Sequence, residues 1–517
     1  MATRGFLIQL HNRHMRTMKR HAMEDASFSA LGIRALSTLL TPQYEVQLLT
    51  VGEDKLESVP VALSQYDSYC VLTGYVADDE IRKQLSATLV EHASAAIGSD
   101  EELIIKAYEK YGIDAFRILN GYYSGVLFAG PLTIAFTSKG SGPSLYYRFD
   151  SENQRILISS ELKAFPDNDQ YILPFESFNE ADLYRNAYLT SFKDTYKLVP
   201  GNTVVINNVG RIARGQSLYF TPNRSITIFD EQQACQLIRT SLESIVDAYP
   251  IRSADCLVSG GLDSSIITYL ATKRLSSVEL YTAGTEDYNE FIPAGVFAKS
   301  IGKQLNYLLF EQDRFLDSYV HTIGLVEHFH SKYIEYLVPI TISHSLLQGR
   351  GQNILSGYGS DILFAGFAKK GMSARAIMQL VWDEYISTYW SNETSQNFAY
   401  YFDKQVFYPF LESSIVEASF MIDPALKFKN GIEKYILRKS FDGEIDPEIL
   451  WRKKVGVHQG TGCEDFFTQF LQLQGREPDA IRYAKDQFAY HILKLLLVDK
   501  VEVSNISLHE ELKKQGA

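Results

Sequence analysis

The amino-acid sequence predicts a mixed α/β and α+β protein in two domains, the second built on a doubly wound parallel sheet. Three observations carry this. Short apolar runs separated by turns fill the first two hundred residues, helical periodicity takes over near residue 230, and residues 255–282 run strand, glycine loop, helix, strand. A β-loop-α-β succession of that kind returns its two strands to one sheet in parallel.

The elements follow in order. Strands are expected at Gly5–Leu10, Ser68–Val76, Gly125–Phe128, Leu132–Thr137, Leu145–Arg148, Ile156–Ser159 and Thr203–Asn207, with helices at Ile81–Ala96 and Glu101–Tyr111. Strands interleaved with a few helices make a layered α+β domain. Gly215–Ser225, rich in Gly, Pro, Asn and Ser, is the expected linker, and the domains are set at 1–212 and 213–517. Beyond it come a helix at Glu231–Ala248, a strand at Asp255–Val258, a helix at Ser264–Lys273 and a strand at Val278–Thr282. Asn353–Leu355 reads as another strand, whose end carries Ser356–Asp361, and helices dominate from about Met372.

Composition excludes several classes of function. The 517 residues are 45% apolar and 22% charged, ordinary for a globular protein. A net charge of −12 disfavours nucleic acid, and the cluster Arg452-Lys453-Lys454 is too short to make a phosphate-binding patch. Cys70, Cys235, Cys256 and Cys463 lack zinc or disulfide spacing and read as small buried side chains. No apolar run approaches the ~20 residues of a membrane span, and no signal core follows the basic N-terminus. A cytoplasmic protein without membrane or nucleic-acid partners is expected; self-association stays open.

The glycine loop is the strongest chemical signal. In Ser259-Gly260-Gly261-Leu262-Asp263-Ser264-Ser265 the glycines let backbone N–H groups approach phosphate oxygens. Ser264 and Ser265 add hydroxyls, and the opening helix adds its positive end. Asp263 beside polyphosphate requires Mg²⁺ between them. No lysine follows the glycines, so the loop is not that of kinase-like NTPases.

This loop resembles the PP-loop of the ATP pyrophosphatases, which include asparagine synthetase, GMP synthetase and argininosuccinate synthetase. The resemblance implies ATP, cleaved to AMP and pyrophosphate as a carboxyl group is adenylated. Tyr108–Tyr111 through Asn120-Gly121 and Ser159–Ala164 resemble the glutaminase-like, Ntn-type αββα domain of asparagine synthetases. Those enzymes begin with a nucleophilic cysteine after Met1. Here Ala2 follows Met1, so an inactive glutaminase-like domain is expected, with the nucleophilic nitrogen coming from the substrate.

That combination is similar to the β-lactam synthetase and carbapenam synthetase family. Ile334-Glu335-Tyr336-Leu337, Asn289-Glu290-Phe291, Ser356–Asp361 and Trp451–Gly460 carry the similarity, with Gln459 where the carbapenam enzyme has glutamate. The resemblance implies Asp263 and Asp361 as Mg²⁺ ligands and Tyr358, Glu393 and Lys454 as catalytic residues. It implies ATP or pyrophosphate contacts at Leu257, Ser259, Gly260, Gly261, Asp263, Ser264, Ser265, Ala283, Gly357 and Lys434. Tyr336, Gly359 and Glu384 are the implied substrate contacts, with Asp383 an alternative to Glu384. The expected reaction joins a β-amino acid's own amine to its adenylated carboxylate, forming a β-lactam. The alternative is another amide ligase of the asparagine synthetase-like family, such as a macrolactam cyclase or an ammonia- or amine-using enzyme.

Overall fold

The computed structural model describes residues 5–12, 33–40, 44–52, 68–90, 97–130, 132–139, 142–150, 155–178, 188–206, 212–218, 221–453 and 456–514. Two compact units make up the chain. The first is Met1–Thr221 with Thr394–Tyr401, and the second is Pro222–Glu393 with Phe402–Ala517.

The first unit pairs two antiparallel sheets. Six strands run in the order Ile33–Leu40, Tyr44–Gly52, Gly5–Asn12, Arg155–Ser159, Tyr146–Asp150, Thr195–Lys197. Five run in the order Ile212–Leu218, Asn202–Ile206, Leu132–Thr137, Gly121–Ala129, Tyr69–Val76. Successive side chains of a strand point to opposite faces. Val71, Val126 and Ala135 therefore meet Phe6, Ile8 and Ile158 between the sheets, in one buried cluster. Their neighbours Leu72, Leu127 and Phe136 turn outward into a second cluster with Leu103, Ile104 and Ala107 of the helix Asp100–Tyr111. A sheet covered on both faces explains why these strands read as continuous apolar runs rather than alternating ones. The helix starts where Ser99 accepts from the Glu102 N–H, and it ends at Gly112, whose φ is +58°.

Residues 394–401 belong to this unit although they lie far along the chain. Tyr122 donates its hydroxyl to the Thr394 carbonyl, and the Asn397 side chain donates to the Ser160 carbonyl at 3.4 Å. Phe398 and Ala399 are buried.

The second unit is built on a five-stranded parallel sheet in the order Leu305–Leu309, Ser277–Gly284, Ser253–Leu257, Asn353–Leu355, Gln405–Phe407. The chain first winds outward from Ser253–Leu257 in one direction and then resumes on its other side. The switch point lies between Ser253–Leu257 and Asn353–Leu355, where α/β sheets open their ligand crevice. Asp230 caps the helix Glu231–Ala248, which buries Ala234, Ile238, Leu242 and Ile245 on one stripe.

Three expectations change. The linker Gly215–Ser225 is half strand, because Ile212–Leu218 pairs with Asn202–Ile206. The expected helix Ile81–Ala96 is observed as Asp79–Val90, and residues 91–96 lie outside the described residues. A strand, Gln405–Phe407, interrupts the helical C-terminal part and extends the parallel sheet. At three residues it is too short to leave a periodic signal. The cysteines are free, with Cys70, Cys256 and Cys463 buried. Among the described residues no helix is long and apolar enough to cross a membrane.

Candidate active site

Parallel pairing brings two loops to one end of the sheet. Asp255 lies beside Ile354 and Cys256 beside Leu355, so the glycine loop and Ser356–Asp361 both leave at the carboxyl ends of adjacent strands. Gly260 has φ +65°, and a Cβ there would lie 2.3 Å from the Pro293 carbonyl carbon. A Cβ on Gly357 would lie 2.6 Å from the backbone of Asp263 and Ser264. The two loops touch backbone to backbone, and only glycine permits this. Gly260→Ala should therefore cost about 2 kcal/mol or more of stability, read as a fall in the melting temperature.

Within the loop, the Gly261 N–H donates to Ser259 Oγ at 3.2 Å, and Ser264 Oγ lies 3.4 Å from both Ser259 Oγ and the Gly261 carbonyl. Ser264 is half-buried, whereas Ser265 is fully buried with its hydroxyl unbonded among the described residues. The helix Leu262–Arg274 begins here and directs its first N–H groups to the loop. Arg452 reaches the loop from the C-terminal part, pairing with Glu290 at 2.5 Å and donating to the Ser259 carbonyl at 3.5 Å. Buried Arg438 donates to the carbonyls of Leu450 and Arg452 and so anchors the turn before Lys453. Lys454 lies outside the described residues.

Asp263 and Asp361 converge on one cation. Lys434 Nζ is 2.7 Å from both Asp263 oxygens and 2.7 Å from Asp361 Oδ1, and it lies 3.4 Å from Ser360 Oγ. Lys434 is buried and adopts a left-handed φ of +52°. Burial works against its charge, but the two carboxylates outweigh burial and hold its pKa above the ordinary value. Asp263 is raised, by burial first and by Asp361 as well, with Lys434 opposing. Two carboxylates meeting at one point suit Mg²⁺, which takes one or two such ligands and completes its shell with phosphate oxygens and water. Among the described residues no cluster of three His, Cys, Asp or Glu forms a metal site without such help.

Beyond this triad lies a second pair. Tyr358 donates its hydroxyl to Glu393 Oε2 at 2.7 Å, and Ser391 donates to the same oxygen at 2.8 Å. Burial is the main cause that pushes Glu393 up to about 7, and the negative charge of Glu384 adds to it. Tyr358 is held above the ordinary phenol range by burial and then by the Glu393 charge. Tyr336 and Tyr408 flank Tyr358 with ring centroids at 6.3 and 6.1 Å, and His458 meets the Tyr336 ring at 5.9 Å. Burial first, and then the negative charges of Glu393, Asp361 and Asp263, hold Tyr336 above the ordinary phenol range.

The other residues singled out from the sequence have the following positions. Leu257 and Ala283 are half-buried at the carboxyl ends of neighbouring strands. Gly359, with φ +105°, opens the short helix Ser360–Leu363 and packs on Leu411 and Phe410. Asp383 is exposed and accepts from Gln379, whereas Glu384 is half-buried and acts on Glu393. Sequence reasoning missed Ser391, Tyr408, His458 and Arg452. Arg452 and His458 lay in the stretch Trp451–Gly460, and Ser391 lay two residues before Glu393, but none of them carried an expected role.

The asparagine synthase family model matches residues 252–399 and 374–497. A carboxyethyl-arginine beta-lactam-synthase from Streptomyces clavuligerus is 25% identical over 414 residues, covering 78% of this chain and 77% of that protein. A glutamine-hydrolyzing asparagine synthetase from Arabidopsis thaliana is 24% identical over 415 residues, covering 74% of this chain and 65% of that enzyme. A solved glutamine phosphoribosylpyrophosphate amidotransferase from B. subtilis overlays with a TM-score of only 0.25, at 12% identity over 59% of this chain and 60% of that one. Residues 252–497 thus carry an asparagine synthase domain, and the chain is similar to asparagine synthetase-like ATP-dependent ligases.

Proposed function

We propose that the chain closes an amide within one substrate molecule, adenylating the carboxylate of a β-amino acid and capturing it with that molecule's own amine to give a β-lactam. The observation that carries the reading is the Tyr358–Glu393 hydrogen bond at 2.7 Å, set beside the phosphate-binding loop. An ammonium must lose a proton before it can attack, and a phenol polarised by a buried carboxylate can accept and relay that proton. Similarity to a carboxyethyl-arginine beta-lactam-synthase supports the substrate class. Cys70, the first cysteine in the sequence, is buried in a strand, and burial pushes its thiol up, so it does not supply a glutamine-hydrolysing nucleophile.

In this reading the glycine loop and the helix N-terminus hold the ATP phosphates. Asp263 and Asp361 would hold Mg²⁺, which supplies charge neutralisation on the polyphosphate when bound. The substrate carboxylate attacks the α-phosphorus and pyrophosphate departs. Lys434, next to both carboxylates, offers its ammonium to the departing oxygens. Tyr336, Tyr408 and His458 wall the acyl group from water, which would otherwise hydrolyse the adenylate. The amine proton passes to Tyr358 Oη as the phenol's own proton moves to the ionised Glu393, and Lys454 steadies the tetrahedral oxyanion as AMP leaves. The first domain is an Ntn-type glutaminase-like fold without glutaminase activity, the partner is a small molecule, and the enzyme works in the cytoplasm.

The test is incubation with Mg·ATP and a panel of β-amino acids, beginning with carboxyethyl-arginine, without ammonia or glutamine. Pyrophosphate, AMP and a product lighter by one water are expected. Turnover that requires added ammonia or glutamine, or that yields an intermolecular amide, would overturn the reading.

A further inference from the structure

Glu393 depends on how the residues before it are held. Ser391 and Asn392 end the long helix Ala374–Ser391, and Asn392 turns back with a left-handed φ of +56°. Opposite lies the end of the helix Arg314–Val326, which turns at Glu327 with φ +57°. These two reversed turns are tied together twice. Asn392 Nδ2 donates to the Val326 carbonyl at 2.6 Å, and His328 Nε2 lies 2.5 Å from the Ser391 carbonyl.

The imidazole's protonation follows from its partners. The His330 backbone N–H, which can only donate, points at His328 Nδ1 at 3.2 Å. That nitrogen must carry the lone pair. The Ser391 carbonyl can only accept, so Nε2 must carry the proton. Both roles are met together by the neutral Nε2–H tautomer. Its ring is buried, with Trp390 at 5.8 Å and Tyr333 at 6.2 Å between centroids. Trp390 itself packs against His330 at 5.3 Å and Tyr333 at 5.2 Å, which leaves the imidazole little room to turn.

We infer that His328 is a positioning residue for Glu393: as the neutral Nε2–H imidazole it pins the Ser391 carbonyl, and Ser391 Oγ and Tyr358 Oη then meet on one oxygen of the Glu393 carboxylate. The inference rests on the reading of Tyr358 and Glu393 as the proton-handling pair. His328 reaches no reacting atom. It acts through the peptide that Ser391 shares with Asn392, two residues from the carboxylate. A buried carbonyl deprived of its donor would draw the turn toward another partner and carry Glu393 off the Tyr358 hydroxyl.

His328→Leu removes both ring nitrogens, and His328→Gln keeps an amide that can donate to the Ser391 carbonyl. Hydrogen exchange of the full chain, with no substrate needed, should show the segment 388–396 opening about tenfold more readily in His328→Leu, the equivalent of one lost hydrogen bond. His328→Gln should return it to near wild type, and exchange elsewhere should not change. Wild-type exchange in His328→Leu, acceleration spread through the whole second unit, or no rescue by His328→Gln would overturn the inference.

With the β-amino acid that gives turnover, His328→Leu should lower kcat about 10–100-fold, keep KM for ATP, and shift the acidic limb of the pH profile. His328→Gln should restore that limb. Tyr358→Phe separates the two ideas. If it keeps full amide formation, the proton-handling reading fails. If it loses amide formation while His328→Leu keeps wild-type kcat and limb, the positioning role fails.

Discussion

Lys434→Met should reduce kcat/KM for ATP by about 10³-fold and lower stability by about 3 kcal/mol near neutral pH. The lysine is the ammonium shared by Asp263 and Asp361 at 2.7 Å. Removing it leaves two like charges facing each other in a place where only about a fifth of each carboxylate side chain is exposed. Breaking a buried pair costs more than the pair contributes, because the remaining charges have neither partner nor water. Asp263 is already raised above the ordinary 3.8 by burial, and the loss of Lys434 removes the influence that opposes the rise. A carboxyl raised in the folded state contributes stability at low pH and loses it as pH rises through the folded value. The deficit should therefore be small near pH 4 and full by neutral pH. Adding Asp361→Asn to Lys434→Met should recover stability but not activity. Thermal melting across pH and ATP kinetics check both halves. A melting deficit that does not change with pH would contradict the shared-ammonium account.

Glu393→Gln should lower amide formation by about 10²–10⁴-fold and abolish the acidic limb of the pH–rate profile. In the wild-type protein that limb should lie near 7, because burial pushes the carboxyl up to about 7 and only the ionised form can accept the proton that Tyr358 relays. The same burial has a cost in stability. Raising a glutamate from 4.5 to about 7 corresponds to roughly 3 kcal/mol between its two forms. The protonated form is the one the folded state favours, so this contribution is present below 4.5 and lost as pH rises through about 7. Glutamine is neutral at every pH. Glu393→Gln should thus melt higher than wild type at pH 8 and about equally at pH 4, a stability gain set against lost function. A mutant that melts no higher at pH 8 would mean that Glu393 is better solvated than its burial implies.

The parts legible in the sequence were those written in contiguous residues. The glycine loop could be read because the glycines, the helix start and the preceding strand lie side by side, and the structure forms that unit with the strand Ser253–Leu257 and the helix Leu262–Arg274. The match for Glu393 rested on a thin stretch of similarity, yet the fold carries that residue across 35 positions to within 2.7 Å of Tyr358. Lys434 was assigned to the pyrophosphate from local similarity. Its bond to Asp263 spans 171 residues and has no periodic or spacing signature. Ser391 and His328 escaped notice for the same reason. Each is an ordinary polar residue whose role exists only once two distant turns face each other. Short elements such as Gln405–Phe407 were missed because three residues cannot declare a period.

The segment Thr394–Tyr401 makes the first unit discontinuous, so its last part is not yet made when Thr221 is. Synthesis advances at about 5–20 residues per second, which leaves the N-terminal sheets waiting roughly 10–40 s for the piece that completes them. During that interval the surface that receives Phe398 and Ala399 stands open, while the glycine loop and most of the parallel sheet of the second unit are synthesised. The N-terminal unit is therefore not complete before the second unit has largely been made, as a simple bead on a string would be. A polypeptide starting at Pro222 would in turn carry those apolar residues without the rest of the unit they belong to. The last piece of the first unit is thus delivered late, by a stretch that begins at the residue after Glu393.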